Sequence, residues 1–313
     1  MNKIVYVTGC LGFIGYHVTK ACLDKGWHVA GVDKMTYAAN VNFLPELLEY
    51  KNFKFIEKDI NDLERLYDCD YVINTAAETH VDNSIVSSDV FLRSNVNGVH
   101  HLLELIKQKS RFKMPTLLHF STDEVYGDID EGSHTETDLL KPSNPYSASK
   151  AAGDMLVLAW ARTFNIPYVI VRPTNNYGIG QYVEKLIPKS VKFLQAGKKI
   201  DLHNNGTPVR TWLHVTDTAN AVIKIVEAGV KNEIYNISGN CEIQNGEVVR
   251  RIINLFNGDT DIEKYITESE RPGQDVRYSI DDSKLKNLGW TPQANFNIEL
   301  NLIVDYYIKN FIW

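Results

Sequence analysis

The sequence predicts an α/β fold in which helices cover both faces of a parallel sheet and a smaller α/β domain is intertwined with the first. Three observations support this prediction. Short β-branched runs alternate with helical patterns through the first half of the chain, which is typical of repeated strand–helix–strand units. Those runs are apolar on both faces, as are the strands of a doubly wound parallel sheet. The length of 313 residues is sufficient for about two domains.

Six strands are predicted in the first half, each at a short apolar run: 4–7, 29–32, 53–56, 71–74, 116–121 and 168–171. Helical patterns lie between them at 17–25, which Gly26 ends, and at 91–107. After Arg172-Pro173 the alternation of strands and helices becomes less regular. The elements predicted there are helices at 186–195 and 216–228 and a strand at 234–237. From residue 242 we expect short helices mixed with loops. We therefore predict one domain over residues 1–173, with returning segments near 212–237, and a second over residues 174–313.

The composition excludes several classes of function. Lysine and arginine number 33 against 39 aspartate and glutamate residues, so the formal net charge is −6. A mildly acidic protein has no general attraction for nucleic acid or anionic membranes. The four cysteines form no C-x-x-C pair and the nine histidines no H-x-x-x-H pair, so we expect no metal site. No apolar run reaches the ~20 residues of a membrane span, and no leader precedes the first strand, so we expect a cytoplasmic protein.

A glycine-rich loop predicts a dinucleotide site. Gly9, Gly12 and Gly15 follow the first strand and open the first helix, where backbone N–H groups and the helix dipole can hold a pyrophosphate. Asp33 ends the second strand and can accept hydrogen bonds from a ribose diol, which favours NAD over NADP although Lys34 is adjacent. Asp59-Ile60, after the third strand, is placed to meet the adenine. Residues 1–173 are therefore predicted to form an NAD-binding Rossmann domain.

A tyrosine and a lysine four residues apart predict the redox centre. Tyr146 and Lys150 lead into an alanine-rich helical stretch, and residues at i and i+4 lie on one face of a helix. A free tyrosine has a pKa of about 10. The lysine ammonium and the positive nicotinamide ring are expected to lower it. Tyr146 could then take a hydroxyl proton while hydride leaves the same carbon.

Adjacent carboxyl groups at the end of the fifth strand predict acid–base chemistry. Asp123 and Glu124 follow Thr122 where an open α/β sheet presents groups to its ligand. Two neighbouring carboxylates are costly to keep ionised together, so one pKa should rise and the pair can divide into an acid and a base. Removal of water beside a ketone needs such a division.

Taken together, these motifs resemble a known superfamily. The glycine loop with the downstream Tyr-x-x-x-Lys resembles the extended short-chain dehydrogenases/reductases. Segments across nearly the whole chain closely resemble its nucleotide-sugar 4,6-dehydratases, the dTDP-glucose and UDP-glucose enzymes. The matching segments are DKMTY at 33–37, AAETHVDNS at 76–84, STDEVYG at 121–127, NNYG at 175–178, EKLIP at 184–188 and RPG at 271–273. The Thr-Asp-Glu triplet at 122–124 is the most specific of them.

The resemblance implies a set of binding residues. Those implied for NAD are Gly9, Gly12, Phe13, Ile14, Gly15, Asp33, Lys34, Thr36, Asp59, Ile60, Ala76, Ala77, Thr79, Ser94, Tyr146 and Lys150. Those implied for the nucleotide sugar are Thr79, Thr122, Asn175, Lys185, Leu186, Arg210, Asn245 and Arg271. Arginine suits a diphosphate because its planar fork binds phosphate oxygens bidentately. The second domain, 174–313, is thus expected mainly to bind the nucleotide sugar.

The resemblance also implies a mechanism and a homodimer. Tyr146, assisted by Lys150, would deprotonate the sugar 4-hydroxyl while hydride passes from C4 to NAD, and Thr122 would bond the new ketone. Glu124 would remove the C5 proton, Asp123 would protonate the C6 hydroxyl, and hydride would return to C6 after water leaves. The net redox change is zero, so such an enzyme is a lyase. Helices near 91–107 and 151–162 would form the dimer.

The sequence leaves several functions open. A nucleotide-sugar 4-epimerase needs no Asp-Glu pair, and a UDP-glucuronate decarboxylase typically has Ser in place of Asp123. Added epimerisation at C5 and a non-catalytic NAD-binding sensor also stay open. Asn83, where bacterial dTDP-glucose enzymes usually have Arg, favours uridine, and Gln274 stands where His is usual. The base, uridine or thymidine, and the C2 group, hydroxyl or N-acetyl, are not decided by the sequence.

Overall fold

The computed structural model describes residues 2–259, 261–273 and 275–310. Gln274 and the last three residues of the predicted second domain lie outside this range. The strands are β1 Ile4–Thr8, β2 His28–Asp33, β3 Phe53–Glu57, β4 Tyr71–Asn74, β5 Thr116–Phe120, β6 Tyr168–Pro173, β7 Asn175–Tyr177, β8 Ile200–His203, β9 Val209–His214, β10 Glu233–Ile237, β11 Cys241–Gln244 and β12 Ile266–Ser269. The helices are α1 Phe13–Asp24, α2 Phe43–Leu48, α3 Val81–Val86, α4 Asp89–Phe91, α5 Gly98–Lys107, α6 Pro145–Phe164, α7 Leu186–Gln195, α8 Val215–Ala228, α9 Asn245–Asn257, α10 Ser283–Asn287 and α11 Phe296–Lys309.

The main sheet has seven parallel strands in the order β10-β6-β5-β4-β1-β2-β3. The strand order reverses between β1 and β4, because the chain winds outwards through β2 and β3 and then returns to the other side of β1. Ligands of open α/β sheets bind at the carboxyl ends of the strands beside such a reversal. The predicted doubly wound α/β fold is confirmed.

Apolar side chains cover both faces of this sheet. One buried cluster packs α1 and α8 against β1, β2 and β6, and a second packs α5 and α6 against the opposite face. Strands β4 and β5 are buried along their whole length, which explains why their sequences show no alternation of apolar and polar residues. No helix in the described ranges is both long and apolar enough to cross a membrane.

A smaller α/β part is built mainly from the second half of the chain. It holds a three-stranded sheet, β11-β9-β7, and a parallel pair, β12-β8. Helices α7, α9 and α11 pack around a separate apolar cluster with these strands. The chain then crosses back, since α8 packs on the first part and β10 pairs with β6 in the main sheet.

Helix α6 begins at Pro145 and contains both Tyr146 and Lys150, as their i, i+4 spacing predicted. Local structure differs from the prediction at two other places. Between α4 and α5 the backbone is π-helical over Leu92–Asn97, within the predicted continuous helix 91–107. The expectation of short helices after residue 242 was wrong for α9 and α11, which have 13 and 14 residues.

Candidate active site

The glycine loop forms a tight cradle at the carboxyl end of β1. Gly9 has a φ of +70°, and a Cβ there would lie 2.8 Å from the Cα of Ala76. A Cβ on Gly15 would lie 1.9 Å from the carbonyl oxygen of Gly9. Gly12 precedes α1 and provides no side-chain cap, so the first N–H groups of the helix stay open to an anion. The loop therefore fits a pyrophosphate.

Asp33 and Asp59 lie at the next two strand ends. The Asp33 carboxylate accepts hydrogen bonds from the backbone N–H groups of Leu11 (3.0 Å) and Met35 (2.8 Å), one on each oxygen. Because each carboxylate oxygen can accept twice, a ribose diol can still be bound. The Lys34 ammonium lies 3.3 Å from Asp59. Because Lys34 is paired with Asp59, its charge is less available to attract the 2′-phosphate of NADP. The pairing therefore favours NAD.

The residues implied for NAD line two adjoining clefts, with one exception. The adenosine-side cleft is lined by Gly9, Gly12, Asp33, Lys34, Thr36, Asp59, Ile60, Ala76, Ala77 and Ser94. The other cleft is lined by Gly9, Gly12, Phe13, Ile14, Gly15, Ala77, Thr79 and Tyr146, and by Thr122, Asp123 and Glu124. Lys150 lies behind this wall and is buried. The structure thus joins the glycine loop to the predicted catalytic groups.

The start of α6 positions Tyr146. Asn144 caps the helix, with its side-chain oxygen accepting from the Ser147 N–H (2.9 Å) and the Ser147 hydroxyl accepting from the Asn144 N–H (3.2 Å). Pro145 at the first position fixes a helical φ. Tyr146 therefore lies in the first turn of α6. Its phenol reaches the cleft and forms a hydrogen bond with the Thr122 side chain.

The expected lowering of the Tyr146 pKa is not found in the protein alone. Burial raises this pKa well above its usual value and the negative charge of Glu124 adds to the rise, while the hydrogen bond with Thr122 opposes it. The Lys150 ammonium donates to the backbone oxygen of Phe120 (2.6 Å). Positive charge on a bound nicotinamide ring would also favour the phenolate.

Asp123 and Glu124 occupy a short 3₁₀ turn, Asp123–Tyr126, just after β5. Burial, reinforced by the charge of Glu124, raises the pKa of Asp123 to about 7. Burial also raises the pKa of Glu124, which the positive charge of Arg210 opposes. Both pKa values in this pair are raised, and burial contributes more to the rise than the repulsion between the two carboxylates that we expected. Near neutral pH, Asp123 can supply a proton.

A third cleft adjoins these groups and contains most of the residues implied for the nucleotide sugar. Thr79, Glu124, Asn175, Lys185, Leu186, Arg210, Asn245 and Arg271 line it, while Thr122 lines the neighbouring cleft. Residues from β9, α9 and the loop after β12 thus meet residues from the carboxyl end of the main sheet. The ligand of this cleft would touch both parts of the chain.

Cations in the third cleft are held by specific contacts. The Arg210 guanidinium donates to the backbone oxygens of Val209 (2.7 Å) and Asp275 (3.1 Å) and stacks over the Tyr278 ring at 4.5 Å. Arg271 forms an ion pair with Asp82 (2.6 Å). The Lys185 ammonium donates to the backbone oxygen of Thr79 (3.0 Å). These are the local positive charges that an acidic protein needs to hold a diphosphate.

Several polar atoms around the clefts lack a partner within the described residues. They are the side-chain oxygens Asn175 Oδ1, Asn245 Oδ1 and Asp123 Oδ2 and the indole Nε1 of Trp212. Buried polar groups are nearly always hydrogen-bonded in folded proteins. Four unsatisfied atoms on the walls of one site therefore indicate a polar ligand that completes them.

Sequence reasoning missed several site residues. Asp275 and Tyr278 lie beside Glu124, and the Tyr278 hydroxyl donates to the Asp275 carboxylate. Both follow the RPG segment at 271–273 closely, which was a usable indication. Asn95, in the π-helical segment, binds the backbone of Glu78 and the Ser149 hydroxyl, each at 2.9 Å. No group of three or more metal-ligating side chains occurs among the described residues.

A doubly wound sheet with a glycine cradle, a helical Tyr-x-x-x-Lys pair and a carboxyl pair at one cleft defines a nucleotide-dependent enzyme of the extended short-chain dehydrogenase/reductase class. Residues 6–301 match the family described as GDP-mannose 4,6 dehydratase. The chain belongs to this family, and its predicted relationship to the nucleotide-sugar 4,6-dehydratases is confirmed.

Individual relatives agree with this assignment. The chain is 38% identical to a dTDP-glucose 4,6-dehydratase from Streptomyces niveus, over 99% of this chain and 94% of the relative. A solved dTDP-glucose 4,6-dehydratase from Streptomyces venezuelae, with NAD bound, superposes with a TM-score of 0.93 at 35% identity, covering 98% and 97% of the two chains. A UDP-glucuronic acid 4-epimerase from Bacillus cereus superposes with a TM-score of 0.90 at 25% identity, covering 98% and 99%. The fold is therefore shared between dehydratases and epimerases.

Proposed function

We propose that this protein is an NAD-dependent lyase that converts a nucleotide-diphosphate hexose to its 4-keto-6-deoxy form. The observation that carries the proposal is the placement of Asp123 and Glu124 in the cleft that also holds Tyr146. Oxidation alone requires only the tyrosine and the cofactor. A buried acid and a second carboxyl group beside them supply the two proton transfers that elimination of water requires.

The cofactor assigned to the glycine cradle is NAD. Its pyrophosphate fits the close approach of the backbone at Gly9 and Gly15, where there is no space for a Cβ, and the uncapped start of α1. Its ribose fits the Asp33 carboxylate. When bound, NAD supplies a hydride acceptor for C4 and later a hydride donor for C6. Relatives crystallised with NAD support this choice.

The residues of the chain move the protons. Tyr146 takes the proton of the 4-hydroxyl, while Thr122, bonded to Tyr146, holds the oxygen that becomes the ketone. The ketone acidifies the C5 proton, which Glu124 removes. Asp123 gives its proton to the C6 hydroxyl, which leaves as water. When hydride is returned to C6, a proton returns to C5 and gives the 4-keto-6-deoxy sugar. Thr122, Asp123 and Tyr146 are buried, and electrostatic effects are stronger where water is excluded.

The nucleotide diphosphate is assigned to the third cleft, mainly within residues 174–313, and the dinucleotide to residues 1–173. Arg210 and Arg271 are placed to bind the diphosphate, while Asn175, Lys185, Leu186 and Asn245 surround the rest of the ligand. The side-chain oxygens of Asn175 and Asn245 have no partner among the described residues and are free to accept hydrogen bonds from a ligand. They therefore favour N–H or O–H groups, as a pyrimidine imide or a sugar hydroxyl provides.

The product mass tests this proposal directly. Purified protein is incubated separately with UDP-glucose, UDP-N-acetylglucosamine and dTDP-glucose. Loss of one water from any of them supports dehydration and identifies the preferred substrate. Unchanged mass with inverted C4 would indicate the 4-epimerase, and inversion at C5 in a dehydrated product would indicate added epimerisation. Unchanged sugars in all three tubes, with NAD bound, would contradict the proposal and favour a sensor.

A homodimer is proposed from the same family resemblance and from exposed apolar side chains near the expected helices. Val86, Val90, Leu92 and Met155 are 87%, 54%, 48% and 48% exposed. A mass in solution twice that of the 35.6 kDa chain would support the dimer, and a single-chain mass would contradict it.

We assign the enzyme to the cytoplasm, since all four cysteines are free thiols, as is usual in a reducing compartment.

A further inference from the structure

A fully buried ion pair lies behind Lys150. Asp154 is 0% exposed and Arg172 is 2% exposed. Both the Nε and the Nη2 of Arg172 donate to the same carboxylate oxygen, Asp154 Oδ2, at 3.0 and 2.9 Å. Arg172 also donates to the Tyr126 hydroxyl (2.7 Å), which in turn donates to Asn236 (2.8 Å). The arginine is therefore held on the side of the carboxylate away from its second oxygen.

The second oxygen of this carboxylate, Asp154 Oδ1, has no hydrogen-bond partner of ordinary geometry among the described residues. The Ser121 side chain lies close enough to favour the charged form of Asp154. His119 Nε2 lies 3.7 Å from Asp154 Oδ1. That histidine is neutral, because burial and the nearby cations Lys150 and Arg172 hold its pKa well below the usual value. Its Nδ1 faces the Asn74 amide at 3.1 Å. The negative charge of Asp154 is thus only partly compensated, although burial makes such a charge costly.

Lys150 precedes Asp154 by one turn of α6, so the two lie on the same face of the helix. The Lys150 ammonium donates to a neutral backbone carbonyl, that of Phe120. The charged and titratable groups around it are Tyr146 and Asp154 on α6, His119 on β5, Arg172 on β6, and Asp123 and Glu124 on the turn after β5. Among them, Asp154 is the group whose charge stabilises the ammonium.

We propose that Asp154 is a positioning residue for the reaction, whose buried negative charge keeps Lys150 protonated behind Tyr146. The proposal rests on the proposed function, since a charged lysine matters only if Tyr146 transfers a proton. Arg172 holds Asp154 in place. Burial raises the pKa of Asp154, and the positive charge of Arg172 opposes this rise and favours the ionised carboxylate. The pair is therefore part of the proton-transfer apparatus and more than a structural contact between α6 and β6.

Two opposing influences on the pKa of Lys150 make the negative charge of Asp154 important. Burial lowers the pKa of Lys150 to about 8, and Asp154 acts in the opposite direction. Removal of the carboxylate should therefore bring the pKa below 8, into the range where the enzyme would work. The lysine would then lose its proton as the pH rises through neutrality, and its support of the Tyr146 phenolate would be lost.

The test is the pH dependence of the dehydration rate in Asp154→Asn, divided by the wild-type rate at each pH. A fall of one unit in the Lys150 pKa lowers this ratio about fivefold at pH 8 and by less than twofold at pH 6. Asp154→Glu, which keeps the charge, should restore the ratio at pH 8. Tyr126→Phe breaks the same network beyond Arg172 without removing a charge, so its ratio should not vary with pH.

A ratio for Asp154→Asn that is equally low at pH 6 and pH 8 would overturn the proposal and leave only a structural role. If that variant does not fold, the double variant Asp154→Asn with Arg172→Met removes both buried charges and answers the same question. NMR titration of the Lys150 side-chain nitrogen compares the pKa of Lys150 in the wild type and in the variant without any need for turnover. Wild-type protein that dehydrates no sugar would defeat the proposed function, whereas an unmoved Lys150 titration in the variant would defeat this inference alone.

Discussion

The proton held by Asp123 gives the most direct test of the proposed chemistry. Replacement by asparagine keeps the size of the side chain and its buried position but removes the acid. Because the carboxyl group is 3% exposed, water is poorly placed to substitute for it as a donor to the C6 hydroxyl. Asp123→Asn should therefore block the loss of water while leaving the glycine cradle and the diphosphate site unchanged.

The structure gives the size of the effect. The pKa of Asp123 is raised from 3.8 to about 7, a change that corresponds to about 4 kcal/mol at ~1.36 kcal/mol per unit. At pH 7 about half of the molecules hold this proton, compared with about one in a thousand for an ordinary aspartate. General acid catalysis contributes about 10²–10⁴-fold. We expect the turnover of Asp123→Asn to fall by that factor.

The assay is the rate of product formation, measured by mass, together with the absorbance of the reduced cofactor. Oxidation at C4 does not use Asp123, so reduced cofactor should accumulate in the variant when sugar is added. Asp130→Asn makes the same chemical change at an exposed position in the loop after the active-site turn and should match the wild type. A variant at position 123 that keeps more than a tenth of the wild-type rate would refute the reasoning.

The same raised pKa predicts how stability depends on pH. Protonated Asp123 is favoured by the folded state, so its contribution is fully present below about pH 3.8 and is lost as the pH rises through about 7. An asparagine side chain at this position cannot ionise. The melting temperature of the Asp123→Asn variant relative to wild type should therefore be higher by a few degrees at pH 8 than at pH 5. An equal difference at both pH values would show that Asp123 is not buried as an acid.

Three further substitutions test the remaining assignments. Gly15→Ala would place a methyl group 1.9 Å from the Gly9 carbonyl oxygen, so the affinity for NAD, measured by calorimetry, should weaken at least tenfold. The control is Gly246→Ala, where the nearest neighbours of the new methyl group are at 3.4 Å; this variant should bind NAD normally. Tyr146→Phe should retain NAD yet lose at least a hundredfold in turnover, and unchanged turnover would remove its catalytic role. Arg210→Lys loses the planar fork, so the KM for the nucleotide sugar should rise about tenfold or more with little change in NAD affinity; an unchanged KM would place the diphosphate elsewhere.

The central strands β1, β4, β5 and β6 were predictable because they are buried on both faces and their apolar runs stand out between polar segments. The later helices were not, because their sequences give conflicting local preferences. Helix α11 mixes strong helix formers such as leucine and glutamate with weaker ones such as asparagine, isoleucine and tyrosine. Packing against α7 and α9 stabilises it. Within the π-helical segment, the Asn95 side chain hydrogen-bonds with the backbone of Glu78 and the hydroxyl of Ser149, contacts that local sequence patterns do not reveal.

The site was predictable only in part for a similar reason. The glycine loop, Tyr146 with Lys150 and the Asp-Glu pair are each a local motif of a few residues. Their occurrence together indicated the chemistry, and the resemblance to the 4,6-dehydratases supplied the role of each residue. The substrate cations form no such motif. The ion pair between Asp82 and Arg271 joins residues 189 positions apart, and the contact of Lys185 with Thr79 spans 106. Such pairings follow from the topology, which local patterns do not reveal.

The pairing of β10 with β6 has a consequence for the order in which the protein can fold during synthesis. Until Glu233–Ile237 has left the ribosome, Tyr168–Pro173 is an open edge of the sheet. Val169, Ile170 and Val171 are fully buried in the finished protein, so the unfinished edge is apolar and able to pair with other chains. Fragments that end near residue 173 should therefore aggregate, and the nascent chain needs protection over the stretch between the two strands.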